Sequence, residues 1–150
     1  MPGRRLLDVG SGVVCTPAGL RAVGSGVPYA VAGHVAVATQ SYANTAFGPM
    51  ADALLRQAVP PERIRDAFAA ADPDHRLRQY GIVAADGASV SFTGADCHPW
   101  AGGRSGDGWA AQGNLLTGPE VIDALVATFE TTDGDLAGRL LAALAAGDRA

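Results

Sequence analysis

With 150 residues, 48% of them apolar and 17% charged, the chain has the size of one domain and enough apolar side chain for a continuous core. The net charge is −4 and every basic side chain is arginine; Arg4, Arg5, Arg76 and Arg78 are too scattered to form the basic stripe that a nucleic-acid partner requires. Apolar stretches are broken by Gly, Pro, His or Gln well short of the roughly 20 residues of a membrane span, so no membrane partner is expected. Asp8 and a Gly-rich stretch stand where a secretory signal would have its apolar run, which places the protein in the cytoplasm and its two cysteines, Cys15 and Cys97, as free thiols.

Residues 12–16, 27–32 and 34–40 are short Val- and Ala-rich runs separated by Gly24, Gly26 and Gly33, and read as buried strands. The period then becomes helical over residues 48–71. Met50, Leu54 and Leu55 share a face, Pro60 and Pro61 interrupt, and Ile64 and Phe68 resume four apart, with Pro61 in the first turn of a second helix, where its missing N–H is harmless. Two alternating runs, 80–84 and 89–92, flank Asp86–Gly87, a pair suited to a type I′ hairpin turn. Residues 94–108 read as a glycine-heavy loop and 109–114 as another strand. Thr117 and Glu120 have the spacing of a capping box before a helix with Val121, Ile122, Leu125, Val126 and Phe129 on one face. Leu136, Leu140, Leu141 and Leu144 mark a last helix. Strands, two helices, strands and two more helices without regular βαβ alternation define an α+β class of antiparallel sheets with helices outside, in one domain over residues 1–150.

Isolated motifs carry little chemistry. The stretch LLDVGSG at residues 6–12 resembles the glycine-rich first motif of S-adenosylmethionine-dependent methyltransferases, but no helix pattern follows and no acidic residue occurs between Asp8 and Asp52 to hold a ribose. GGRSGDG at residues 102–108 lacks a Walker lysine and leads into a strand, so it reads as a tight connection. Cys97 and His98 are adjacent, a poor arrangement for a shared metal ion, and no second ligand pair accompanies them; no metal and no cofactor are expected. A small buried thiol is the ordinary role for Cys97, and a nucleophile activated by His98 the alternative. His34 reads as packing in a strand bend and His75 as solvated loop surface.

Three stretches in order, VATQSYAN at residues 37–44, FTGADCHPWAG at 92–102 and QGN at 112–114, resemble a prokaryotic family catalogued as domain of unknown function 1028 and assigned to the N-terminal-nucleophile (Ntn) hydrolase superfamily. The likeness runs from about residue 12 to residue 150. It implies a four-layer αββα sandwich. Active members of that superfamily use an N-terminal Thr, Ser or Cys as nucleophile and its own amine as base for hydrolysis of C–N bonds. Here Met1, Pro2 and Gly3 occupy that place, and removal of Met1 exposes a proline without a nucleophilic side chain; a cleavage exposing Ser11, Cys15 or Thr16 is the other route to such an end. Both ends of the sandwich are expected to be missing, leaving unpaired sheet edges and a homo-oligomer.

The resemblance therefore implies an Ntn-hydrolase-like protein, amidohydrolase-related and inactive as it stands, with Thr39, Gln40, Asn44, Cys97, Trp100, Gln112 and Asn114 around the former substrate cleft. Gln112 and Asn114 would offer amide donors to an oxyanion or to a small polar ligand, and Trp100 would wall the pocket. The alternatives are a non-catalytic domain that binds a small polar molecule or associates with itself, in which these side chains only satisfy turns and fill the core, and, on the LLDVGSG stretch, a methyltransferase.

Overall fold

The computed structural model describes residues 26–150. The expected strand at 12–16, the LLDVGSG stretch and the candidate cleavage residues lie outside them.

The first sheet is built from two hairpins. Strands β1 (Pro28–Val31) and β2 (Val35–Gln40) are joined by a turn in which Gly33 takes φ +66°, and β3 (Gln79–Ala84) and β4 (Ser89–Thr93) complete an antiparallel sheet in the order β1-β2-β3-β4. Between the hairpins run helices α1 (Phe47–Leu55) and α2 (Pro61–Ala71), the second opening on Pro61, followed by a short 3₁₀ turn at His75–Leu77. The helix break thus falls where the paired prolines place it.

Successive strand residues face opposite sides of a sheet, and this alternation divides the molecule. On one side Val35, Val37, Tyr80 and Ile82 meet Phe47, Ala51, Ile64 and Phe68 from α1 and α2 in one sealed core. Phe47 and Phe68 stack with ring centroids 4.0 Å apart, and each meets Tyr80 at 5.3 and 5.1 Å in the T-shaped arrangement that aromatic rings favour. Met50, Leu54 and Leu55 lie at the margin of this core, half-buried.

The other side of the sheet is covered by a second antiparallel pair, β5 (Gly102–Gly106) and β6 (Trp109–Gly113). Its seam with the first sheet is polar and thin. Ser89 donates to Gly106 O at 2.7 Å, and Gly81 lies directly beneath Ala110 and Gln112, where a Cβ would have no room. Gly103 is pressed in the same way against Ser91 Oγ and the Ala111 carbonyl. Helix α3 (Pro119–Thr131) packs on the outer face of β5 and β6, with Ile122 sealed and Arg104 paired to Asp123 at 2.9 Å, and α4 (Leu136–Arg149) packs on α3. The layers therefore run helix pair, four-stranded sheet, two-stranded sheet, helix pair.

The structure corrects several local expectations. β5 forms inside the glycine-heavy loop: GGRSG has no strand propensity, and it is strand because only such small residues let the hairpin approach the first sheet so closely. At residues 84–88 only Gly87 has positive φ, +96°; Gly87 N bonds Ala84 O at 3.0 Å and Ala84 N bonds Ala88 O at 2.8 Å, so the turn is not the expected type I′, which needs two left-handed residues. The N-cap of α3 is Gly118 with no side-chain cap, so Thr117 and Glu120 form no capping box. Asp135 does cap α4, accepting from Gly138 N at 2.8 Å. Leu141 is 69% exposed instead of joining the inner face of its helix. No helix of the described residues is long and apolar enough to cross a membrane.

Candidate functional site

At one end of the two sheets β2, β4 and β6 finish while β3 and β5 begin, and here the polar residues gather. Gln40 and Gln79 are paired in register, as are Gln79 and Thr93, so all three point into the seam between the sheets. Gln79 is completely buried. Its Nε2 donates to Gly113 O at 2.7 Å, Thr93 Oγ1 at 2.9 Å and Gly102 O at 3.2 Å, tying the first sheet to both strands of the second. Its Oε1 accepts from Gln40 Nε2 at 2.8 Å and Asn114 Nδ2 at 3.0 Å, and Gln40 Nε2 also reaches Gln112 O at 3.2 Å. A buried amide so completely satisfied avoids the cost of an unpaired polar group and specifies how the sheets meet.

The seven expected cleft residues divide between three places. Gln40, Gln112 and Asn114 meet around Gln79. The Gln112 side chain, however, lies in the seam above Gly81 with its Oε1 buried and without a partner among the described residues. Trp100 lies beside this group, half-buried with its ring over Gly102, and Trp100 and Leu116 exchange backbone hydrogen bonds at 3.3 and 3.1 Å. Thr39 faces the helix side of its strand, accepts from Asn44 N at 3.3 Å and lines a separate cavity of about 140 Å³ with Tyr29, Val37 and Gly48. Asn44 donates to Asp72 at 2.8 Å. Cys97 is a buried free thiol directed at the carbonyls of Leu77 and Arg78, 3.6 and 3.4 Å away, and the His98 ring bonds Tyr42 Oη at 3.1 Å.

Two features around this end have only weak signals in the sequence. Asp72 is buried and takes two hydrogen bonds from Arg78, at 2.9 and 3.2 Å, while Arg78 also donates to the Tyr42 carbonyl. The Arg78 guanidinium holds the Asp72 carboxyl down at about 2 against the opposing effect of burial, with Asn44 and the Asp74 N–H assisting. Tyr42 and its neighbours are thus clamped onto the loop before β3. His75, expected on the surface, stacks on Phe92 with centroids 4.1 Å apart and bonds Tyr80 Oη at 2.9 Å; burial pushes its pKa down and that of Tyr80 up. An Asp-rich loop running into Arg-Gln was the available signal for Asp72 and Arg78. Nothing local marks Gln79, whose role comes from strand pairing.

Three of the four non-glycine residues with positive φ among the described residues cluster here as well: Ser41 (54°), Tyr42 (57°) and Leu115 (58°). Tyr42 and Leu115 are each 59% exposed, and His98 joins them, since Leu115 N donates to His98 O at 3.3 Å. Among the described residues no three His, Cys, Asp or Glu side chains gather as a metal site would need.

Antiparallel sheets flanked by four helices, joined by a buried amide network at one strand end, define a mixed α+β protein with a polar seam. The chain belongs to the DUF1028 family of unknown function, whose model matches residues 8–150. It is similar to a protein of that family from Silicibacter pomeroyi, known from a crystal structure, with 26% identity and a TM-score of 0.80 over 85% of this chain. The chain spans 59% of that protein's length. No curated protein matches it.

Proposed function

We propose that the chain carries an Ntn-hydrolase-like αββα sandwich whose strand end, around Gln40 and Asn114, binds a small polar molecule without transforming it. The convergence of Gln40 and Asn114 on the buried Gln79, with Gln40 also donating to the Gln112 carbonyl, carries this reading. The order of layers supports the sandwich. A thermal-shift screen of small amides, amines and acids tests the proposal. It expects a hit whose effect is lost in Asn114→Ala, and absence of any hit that depends on Asn114 rejects it.

A second reading, hydrolysis of C–N bonds, draws on the same layer order and places the nucleophile before residue 26. Turnover of an amide or ureido substrate by the purified chain, together with an intact mass reporting its first residue, would establish it.

Self-association is proposed alongside either reading. β5 and β6 pair only with each other among the described residues, and Leu141 is largely exposed on α4, the combination of open strand edge and apolar surface that favours a second copy. Light scattering during gel filtration should give at least twice the chain mass.

A further inference from the structure

The amide network dictates which atoms it leaves for a ligand. Gln79 meets two backbone carbonyls, Gly102 O and Gly113 O, through one terminal atom. Carbonyls only accept, so that atom is the nitrogen, and the other end of the amide is the oxygen. An oxygen there requires donors, so Gln40 and Asn114 must both turn their NH₂ groups inward. Each then keeps its own carbonyl oxygen, Gln40 Oε1 and Asn114 Oδ1, with no hydrogen-bond partner among the described residues. Gln40 and Asn114 are both half-buried, whereas Ser41 Oγ beside them is buried and has no partner among those residues either. The polarity runs from the interior outward: one buried nitrogen fixes two outer acceptors.

The rim of this end is apolar and held in uncommon backbone conformations. Tyr42 follows Gln40 by two residues and Leu115 follows Asn114 directly. They are two of the three large apolar side chains exposed on the described residues, and both have positive φ. Bulky residues seldom adopt this conformation, and where they do the strain is commonly tied to a binding or catalytic role. The Arg78 bond to the Tyr42 carbonyl, the His98 bond to Tyr42 Oη and the backbone bond from Leu115 N to His98 O hold the two residues in place.

We infer that this end selects a ligand by its N–H groups: a small molecule with an amine or carboxamide head received by Gln40 Oε1 and Asn114 Oδ1 and an apolar or aromatic body resting on Tyr42 and Leu115. This deepens the binding reading given above and rests on it. A carboxylate head meets two oxygens there and is rejected, the opposite of an oxyanion-binding arrangement. Of the donors that such an arrangement would need, Gln40 Nε2 gives its two N–H groups to Gln79 Oε1 and Gln112 O, and Asn114 Nδ2 gives one of its two to Gln79.

Benzylamine, benzamide and benzoate share one aromatic body and differ in the head, and titrating each into the full chain while following the side-chain NH₂ resonances of Gln40 and Asn114 tests the inference. Benzylamine or benzamide should shift these resonances saturably and benzoate should not. Benzoate binding as tightly overturns the proposed selectivity. Silence from all three overturns it too; the ligand reading itself then survives only if another compound of the screen binds in an Asn114-dependent way, so the two failures are distinguishable. Leu115→Gly supplies a variant that does not threaten folding, because glycine takes positive φ without strain. It should leave the melting temperature unchanged or higher while weakening benzylamine or benzamide about tenfold through lost apolar contact. Unchanged affinity in that variant removes Leu115 from the site and overturns the assignment of the rim.

Discussion

Phe47, Ile64 and Phe68 of the first helix pair are all but inaccessible against the four-stranded sheet, whereas the second pair, α3 and α4, seals only Ile122 among its large side chains and leaves Leu125, Val126, Phe129 and Leu144 half-buried. Both pairs have the same amphipathic pattern, yet among the described residues the first rests on four strands and the second on two. An apolar helix face buries only as much as the layer beneath it is wide. What holds the second half in place is correspondingly different: the Gln79 hydrogen bonds across the seam, the α3–α4 contact and Arg139, whose guanidinium lies 4.2 Å from the Phe129 ring centroid and bonds the Phe129 carbonyl.

The largest test of this contrast is a matched truncation. Phe68→Ala should cost about 3–5 kcal/mol in urea unfolding, and Phe129→Ala, at a half-exposed site, about 1–2 kcal/mol. Equal losses would remove the distinction between the halves. Next comes the Asp72–Arg78 clamp. Asp72→Ala leaves Arg78 with only the longer contact to Asp74, at 3.5 Å, and should cost about 3 kcal/mol.

The same pair sets a pH dependence. The Asp72 pKa is lowered from 3.8 to about 2 on folding, so the unfolded chain binds a proton more readily. The stability this contributes, about 2 kcal/mol, is complete above pH ~4 and is lost as the pH falls through 2. Chemical unfolding followed from pH 6 to 2 should show that slope, and Asp72→Asn should flatten it.

A smaller effect sharpens the boundary between the halves. Gln79→Leu strips the donor from Gly102 O and Gly113 O and should cost about 1–3 kcal/mol. Trp100 and Trp109 both belong to the second half, so their fluorescence should then change at lower urea than the helical signal at 222 nm; coincident transitions would mean that the seam is not what joins the halves. The smallest effect is that of Leu141→Glu on stability, within about 0.5 kcal/mol at an exposed site, while the mass measured by light scattering should fall toward that of one chain.

How much of this was legible beforehand depends on the range of the interaction involved. Helix and strand positions follow from local apolar period and proline placement, and β1, β2, β3, β4, β6 and the four helices of the described residues lie close to the expected stretches. β5 was hidden because its residues were chosen for thinness across the seam and not for strand propensity. His75 reads as surface in the sequence because its partners, Tyr80 and Phe92, reach it only once β3 and β4 have paired.

The candidate site shows the same division. From the sequence came Gln40, Gln112 and Asn114 as residues worth watching, together with the family likeness and the mixed α+β class. Tertiary structure decided what those side chains do: strand alternation sends Thr39 and Gln40 to opposite faces, register brings Gln79 beneath Gln40, and the two backbone carbonyls of the second sheet set the polarity of every amide outward from there. Hydrogen-bond direction in a buried network belongs to the whole chain of partners, and no stretch of sequence contains all of them.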